Sequence, residues 1–360
     1  MSLRVAIASS TTRQAIAISA ASIKDAIAKA IVLVLTLLLA ACSITNNDQA
    51  LTTPVAAPGA FKVAILLPGR INENSWSRAG YQGLKLIEKQ LGAQVAYRSS
   101  VLPDEAETLF RHYANAGFDF IMGHGAQYLT SAEVVAKEFP RVKFAVTGSY
   151  AGNNKNLGTL SFRGGEMGYL TGMIAALKTN TNKVGYIGGQ PYPATTEGAI
   201  LFKRGVKQTK SSVTPLLDWV NSWSDTNKAR AIALAQIAAG ADVIFVDADE
   251  ASFGVFQAVQ ESKKVRVIGL IHNLDRVHQT QRLAPEAFIT LVVQQVPSLL
   301  LEGATLAQQG RWEGKLYKFG LLEEVQDLAL FQDSLTPKEE AYVKSAKQDI
   351  ITGKINIDTE

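Results

Sequence analysis

The fold class follows from two stretches that have the same character, Phe61-Lys62-Val63-Ala64-Ile65-Leu66 and Asn182-Lys183-Val184-Gly185-Tyr186-Ile187. Each is an apolar run behind a lysine, and each is followed by a loop, a long helical pattern and a second apolar run. Continuous apolar runs are typical of parallel strands that helices cover on both faces. The repeat predicts an α/β chain built from two similar halves.

The alternation of apolar runs with helical patterns continues along the chain. The predicted strands are Lys62–Leu67, Gln94–Arg98, Phe118–Met122, Lys143–Thr147, Leu157–Phe162, Lys183–Ile187, Thr214–Val220, Asp242–Val246, Val265–Leu270 and Phe288–Gln294. The predicted helices are Ser75–Leu91, Asp104–Ala116, Thr130–Phe139, Glu166–Leu177, Thr195–Thr209, Thr226–Ala239 and Ser252–Glu261. Gly92, Gly117 and Gly240 stand where helices should end. So many strands predict two Rossmann-like lobes of about five strands each.

Two similar lobes that face each other form a cleft at the carboxyl ends of their strands, where open α/β sheets bind ligands. We assign residues 61–162 and 290–360 to lobe 1 and residues 163–289 to lobe 2. This assignment expects the chain from Phe288 to Phe319, and again from Thr336 to Ile355, to return to lobe 1. Three crossings between the lobes and closure about a hinge follow from it.

The first 41 residues have the pattern of a signal peptide. Basic residues precede an apolar run, Ala30–Ala41, that is shorter than the roughly 18 residues needed to span a bilayer. The run ends in Leu39-Ala40-Ala41-Cys42, which resembles a bacterial lipobox, so we expect cleavage before Cys42 and attachment of a lipid such as palmitate to it. Alternatively, Cys42 is a small buried residue inside a helix. It is the only cysteine, so the chain forms no internal disulfide.

Residues 42–60 are rich in Asn, Thr, Ala and Pro, which predicts a flexible tether between the lipid and the folded domain. The protein would then stay at the cell envelope, anchored to a membrane and facing the periplasm or the exterior. The formal net charge is +4. Because residues 1–41 hold four basic residues and one acidic residue, the mature chain is close to neutral. A nucleic-acid-binding function therefore loses its main support.

Several segments in order resemble the basic membrane protein (Bmp) family, which includes purine nucleoside receptors. They are Gly69-Arg70-Ile71-Asn72-Glu73-Asn74-Ser75-Trp76, Val134–Phe144, Phe162-Arg163, Gly168–Gly172, Val184–Gly189, Trp219–Asp225, Gly240–Phe245 and Ile350–Ile355. The resemblance spans about residues 61–356. It implies a type I periplasmic binding protein that serves an ABC importer, with permease and ATPase subunits as partners and a monomeric soluble domain.

Two tryptophans are the main ligand-binding candidates. Trp76 follows the first strand of lobe 1, and Trp223 follows the second strand of lobe 2. An indole from each lobe would hold a flat ring between them, with stacking worth ~1–3 kcal/mol per face. The resemblance implies the same role, since family members stack an aromatic residue on the purine at both positions. The alternative is core packing, which we expect for Trp219 and Trp312.

Polar candidates stand in the loops that follow strands: Asn72, Glu73, His124, Gln127, Thr147, Asp249 and His272. His124 is either a structural residue or a ligand contact. Asp249 belongs to an acidic group with Asp247 and Glu250, but no His or further carboxylate is spaced to complete a metal site. We expect no metal and no cofactor, and the acidic group is either a solvated loop or a hydrogen-bond acceptor for a ring N–H.

The sequence departs from the nucleoside receptors at three places. Ile271 occupies the position of the aspartate that grips ribose hydroxyls, and Gln294 occupies that of a lysine. Asp249-Glu250-Ala251-Ser252 replaces a glycine-threonine-glycine loop. An apolar residue that faces two hydroxyls leaves each unpaired at a cost of ~1–3 kcal/mol. The departures favour a free nucleobase or similar flat heterocycle over a nucleoside, although a register shift of two residues would bring Asn273 into play.

Three classes of function are compatible with this fold. An enzyme is disfavoured because the chain has no Gly-x-Ser-x-Gly elbow, no Walker loop and no Gly-x-Gly-x-x-Gly after a strand. An importer receptor for a flat heterocycle is preferred. A purine nucleoside receptor, or a sensor lipoprotein that is not coupled to import, is the alternative.

Overall fold

The computed structural model of the protein describes residues 59–72, 76–272, 286–329 and 334–357. Within these residues the strands form two six-stranded sheets. The first sheet contains β1 (Lys62–Leu66), β2 (Gln94–Arg98), β3 (Phe120–Gly123), β4 (Lys143–Thr147), β5 (Leu157–Phe162) and β11 (Leu316–Phe319). The second contains β6 (Lys183–Gly188), β7 (Thr214–Trp219), β8 (Val243–Asp247), β9 (Arg266–Ile271), β10 (Phe288–Gln294) and β12 (Gln326–Leu328).

The two sheets have the same strand arrangement. Their orders are β2-β1-β3-β4-β5-β11 and β7-β6-β8-β9-β10-β12. Strands pair in parallel throughout the first sheet. The second sheet is also parallel except for β12, which runs antiparallel to β10. The predicted α/β fold with two Rossmann-like lobes is confirmed.

Helices cover both faces of each sheet, which explains why the central strands are apolar along most of their length. The helices are α1 (Trp76–Leu91), α2 (Ala106–Asn115), α3 (Leu129–Glu138), α4 (Gly164–Lys178), α5 (Pro193–Thr209), α6 (Thr226–Ala238), α7 (Ser252–Ser262), α8 (Val296–Gln308) and α9 (Pro337–Ile351). In lobe 1, α1 and α8 share one core, and α2 and α3 share the other. In lobe 2, α4, α5 and α9 cover one face and α6 and α7 the other.

Three helices end at the glycines expected from the sequence. Gly92, Gly117 and Gly240 have φ angles of +62°, +74° and +101°. This left-handed conformation costs a residue with a Cβ more than it costs glycine. It lets the chain leave each helix sharply and enter the next strand.

The predicted lobe boundary at residue 290 is wrong for three elements, β10, β12 and α9. Strands β10 and β12 both belong to the second sheet. In α9, Val343, Ala346 and Ile350 are buried in the same core as residues of α4 and α5. Only α8 and β11 return to lobe 1. The physical reason is that α4 and α5 leave apolar surface on lobe 2 that the C-terminal helix covers.

The chain crosses between the lobes three times, between β5 and α4, between β10 and α8, and between β11 and β12. Hydrogen bonds hold the crossings side by side. The amide of Gln295 donates to the carbonyl of Val325 at 2.7 Å. Nε2 of Gln326 donates to the carbonyl of Arg163 at 2.8 Å. Arg163 also pairs with Glu323 at 2.8 Å. A bundle of adjacent strands of this kind is suited to hinge motion.

The predicted signal peptide, Cys42 and all but the last two residues of the predicted tether lie outside the described residues. Among the helices that are described, none is long and apolar enough to cross a membrane.

Candidate ligand-binding site

The described site candidates stand at the carboxyl ends of strands. In lobe 1, Trp76 begins the helix after β1, His124 directly follows β3, and Thr147 ends β4. In lobe 2, Trp223 lies between β7 and α6, Asp249 follows β8, and His272 follows β9. Ligands of open α/β sheets bind at this edge.

The Trp76 indole is fixed by a reciprocal contact with His124. Their rings stack with centroids 4.1 Å apart and planes 10° from parallel. Nε1–H of Trp76 donates to the carbonyl of His124 at 3.1 Å. Nε2 of His124 lies 3.0 Å from the carbonyl of Trp76. A carbonyl only accepts, so Nε2 carries the proton. The indole therefore has a defined orientation before any ligand arrives.

His124 is a supporting residue for this indole. It is completely buried, and burial lowers its pKa to about 3, so the ring is neutral at physiological pH. A methyl group at Gly80 would come within 2.6 Å of the His124 ring, so glycine at this position of α1 leaves room for the imidazole. Of the two roles considered for His124, the geometry favours the structural one.

His272 brings the second lobe into contact with Trp76. The two rings meet edge to face, with centroids 5.0 Å apart and planes at 75°. Burial lowers the pKa of His272 to about 4, which leaves this ring neutral as well. Nε2 of His272 lies 3.8 Å from a carboxylate oxygen of Asp249. One aromatic cluster thus joins the two lobes at the facing ends of their sheets.

Trp223 lies on the second lobe, over the backbone of Gly189. A methyl group at Gly189 would overlap Cε3 and Cζ3 of the indole. The ring also approaches Tyr192, with centroids 6.2 Å apart. The amide of Ala251 donates to the Trp223 carbonyl at 2.9 Å. The indole is half-buried, so one part of it is held by the protein and another part faces solvent.

Tyr192 is a further candidate that the sequence pattern did not single out. It is 49% exposed, precedes α5 directly, and stands in the loop that follows β6. The same signal that selected Trp76, an aromatic between a strand and a helix, was available for Tyr192. Trp219 and Trp312 differ from Trp76 and Trp223. The Trp219 ring packs over Gly188, and Trp312 is buried and donates to the carbonyl of Asn156 at 3.1 Å.

Gly189→Ala should weaken ligand binding about tenfold while the protein stays folded. The new methyl group displaces the Trp223 indole, and a tenfold change corresponds to about 1.4 kcal/mol, within the range of one stacking contact. Calorimetric titration with the best ligand measures the loss. Gly198→Ala is the matched control, because a methyl group there meets its nearest atoms at 3.6 Å. Unchanged affinity in Gly189→Ala would show that the Trp223 position does not matter.

The remaining candidates have simpler surroundings. Asn72 and Gln127 are exposed, and Glu73 lies outside the described residues. Thr147 is buried, and its Oγ1 has no hydrogen-bond partner within the part of the chain that the structure describes. Ile271, which the resemblance places at the position of a family aspartate, is only 8% exposed and packs in the apolar core of lobe 2.

The acidic group after β8 has one carboxyl with a shifted pKa. Burial, with a smaller contribution from the nearby charge of Asp249, raises the pKa of Asp247 to about 7. No three His, Cys, Asp or Glu side chains gather into a possible metal site among the residues that are described.

Residues 60–360 match the family model of Bmp, described as ABC transporter substrate-binding protein PnrA-like. The chain belongs to this family. The resemblance found in the sequence is thereby confirmed, and so is the general function as an ABC transporter substrate-binding protein.

Two relatives show how similar this chain is to known proteins. The ABC transporter nucleoside-binding protein BmpA of Lactococcus lactis is 26% identical over 313 residues, which cover 82% of this chain and 89% of BmpA. A purine-binding protein of Brucella abortus is 27% identical over 305 residues, covering 82% of this chain and 84% of the relative. An ABC transporter solute-binding protein from Aeropyrum pernix K1 has the same fold, with a TM-score of 0.68, 20% identity, and coverage of 82% and 92%.

Proposed function

We propose that this Bmp-family protein captures a flat nitrogen heterocycle of the nucleobase type between its lobes and retains it by closing about the hinge. The observation that carries the proposal is the position of Trp76. Its indole is oriented by His124 in lobe 1 and meets the ring of His272 from lobe 2. Stacking of a base on such a ring is worth ~1–3 kcal/mol.

The ligand class is supported by the relatives, one of which is named as nucleoside-binding and another as purine-binding. Between a base and a nucleoside, Ile271 favours the base. Its side chain packs among apolar residues of lobe 2 and offers no acceptor to a ribose hydroxyl. Each hydroxyl buried without a partner costs ~1–3 kcal/mol. A nucleoside is the alternative ligand.

The ligand would favour closure by as much as it binds the closed form more tightly than the open form. The closed form would then present both lobes to a permease, whose ATPase subunits supply the energy for transport. In this scheme the protein binds its ligand without transforming it and works as a monomer. It would be held at the membrane by a lipid on Cys42. Mass spectrometry of the protein extracted from membranes distinguishes a chain that begins with acylated Cys42 from an uncleaved one.

A thermal-shift screen tests the ligand class. The panel contains adenine, guanine, hypoxanthine, xanthine, uracil, thiamine and the matching nucleosides. A ligand at 100 times its Kd adds ~2.7 kcal/mol to the free energy of unfolding. We expect a free base to stabilise the protein strongly and its nucleoside much less. Stronger stabilisation by nucleosides would contradict the inference from Ile271, and no stabilisation by any flat compound would contradict the proposed ligand class.

A further inference from the structure

Asp249 and His272 form a polar pair beside the proposed stacking surface. Nε2 of His272 lies 3.8 Å from Oδ1 of Asp249, and the two side chains are 12% and 19% exposed. The separation is longer than a hydrogen bond. His272 meets the indole of Trp76 edge to face. The pair therefore lies beside the Trp76 indole.

The two ring nitrogens of His272 have different surroundings. Nε2 is the nitrogen nearer to the Asp249 carboxylate, at 3.8 Å. A neutral imidazole has one nitrogen that donates and one that accepts, and the tautomer with its proton on Nε2 turns the N–H toward the carboxylate and leaves Nδ1 as an acceptor. This atom is buried and has no hydrogen-bond partner among the described residues. Nδ1 and the carboxylate together present acceptors to whatever lies next to them.

The chain holds this pair in place at two strand ends. Asp249 follows β8 and adopts a left-handed φ of +48°, a conformation that Asp adopts more readily than most other residues with a Cβ. His272 directly follows β9, while the preceding Ile271 turns into the apolar core. On this side of lobe 2, residues 249 and 272 thus offer the polar groups that residue 271 does not.

We infer that Asp249 and His272 accept a hydrogen bond from a ring N–H of the ligand and so determine its specificity. The inference rests on the proposed function, because it concerns the edge of the same stacked heterocycle. In a free purine base, the N–H of the five-membered ring is a donor that a methyl group or a ribose replaces. The pair would therefore admit the free base and reject the nucleoside and the N-methylated base.

Binding of matched purines tests this reading. Adenine and hypoxanthine are titrated calorimetrically against the full protein, each beside its 7-methyl and 9-methyl derivatives. We expect at least one methylation to weaken binding about 10- to 150-fold, the value of a hydrogen bond to a charged group. In Asp249→Asn and in His272→Phe, the parent base should lose affinity while the methylated base does not, so the ratio of the two Kd values falls toward one.

Two further variants separate specificity from stacking and from general charge. Trp76→Ala should weaken the parent and the methylated base by the same factor and leave their ratio intact. Glu250→Gln removes a negative charge from an exposed side chain of the same loop and should leave both affinities as they are. Circular dichroism melting shows whether each variant is folded.

The inference is overturned if methylated and parent bases bind wild type equally, or if the ratio persists in both Asp249→Asn and His272→Phe. In either case the proposed function stands, since a base still binds. If no heterocycle of the panel binds wild type, the proposed function fails, and the inference fails with it.

Discussion

Replacing Trp76 with alanine should raise the Kd of the best ligand roughly 5- to 150-fold, the equivalent of ~1–3 kcal/mol for one lost stacking face. The indole contacts the His124 ring of lobe 1 and the His272 ring of lobe 2. Its removal takes away the proposed ligand platform in lobe 1 and the ring that His272 contacts. Calorimetric titration of wild type and variant gives the ratio directly.

Trp76→Phe is the matched control for this experiment. Phenylalanine keeps an aromatic face but loses the Nε1–H that donates to the His124 carbonyl. It should retain most of the affinity, with a Kd closer to wild type than to the alanine variant. Binding by Trp76→Ala within twofold of wild type would mean that the ligand does not stack on this ring.

Replacing Asp247 with asparagine should stabilise the protein at pH 8 and have little effect at pH 4. Burial raises the pKa of Asp247 to about 7, so the folded protein holds this proton up to neutral pH. The unfolded chain releases it near pH 3.9. A group with a raised folded pKa contributes stability below its unfolded pKa and loses that contribution as pH rises through the folded value.

The expected gain in the free energy of unfolding follows from the difference between the folded and unfolded pKa values of Asp247. One pKa unit corresponds to about 1.4 kcal/mol. Water screens part of the effect because the Asp247 side chain is half-buried. We therefore expect the variant to gain ~1–3 kcal/mol in the free energy of unfolding at pH 8. Urea unfolding of both proteins between pH 4 and pH 8 measures it. Glu250→Gln, which neutralises an exposed neighbour, should show no such gain. The prediction would be contradicted if the free energies of unfolding of Asp247→Asn and wild type changed with pH in the same way.

His124 and His272 change the free energy of unfolding with pH in the direction opposite to that of Asp247. Burial lowers their pKa values to about 3 and about 4. The unfolded chain binds protons at these residues near pH 6.5 while the folded protein does not, so stability falls as pH drops from about 6.5. Between pH 4 and pH 6.5 these histidines and Asp247 oppose each other in wild type. Asp247→Asn removes the opposing carboxyl and should therefore depend more steeply on pH over this range.

Most of the fold was predictable because buried parallel strands leave a strong local pattern. The runs at residues 143–147, 157–162 and 288–294 were predicted with the bounds that the structure has. Helix ends were predictable wherever glycine supplies the left-handed residue, as at Gly92 and Gly240. These signals act over a few residues and do not depend on the rest of the chain.

The C-terminal part was less predictable because its place depends on distant packing. Strand β12 has only three residues, Gln326–Leu328, without an apolar run that would mark it. Helix α9 has an ordinary amphipathic pattern that would fit either lobe. Its choice of lobe 2 depends on the surface of α4 and α5, more than 100 residues earlier in the chain.

For the candidate site, the sequence predicted which residues follow strands but not which side chains contact each other. Trp76, Trp223, Asp249 and His272 were predicted to follow strands, and they do. That His124 supports the Trp76 indole could not be foreseen, because the two residues are 48 positions apart and neither pattern indicates stacking. The pairing of Asp249 with His272 likewise depends on β8 and β9 being neighbours in the sheet.

The first sheet has a consequence for how the protein can be assembled. Its edge strand β11 and its covering helix α8 come from residues 296–319, after the whole central part of lobe 2. A chain delivered from its N-terminus, by a ribosome or through a translocation channel, therefore receives the closing pieces of the N-terminal lobe almost last. Until they emerge, β5 has an open edge and α1 lacks its packing partner α8. Neither lobe can mature as a continuous fragment, and the two must finish together.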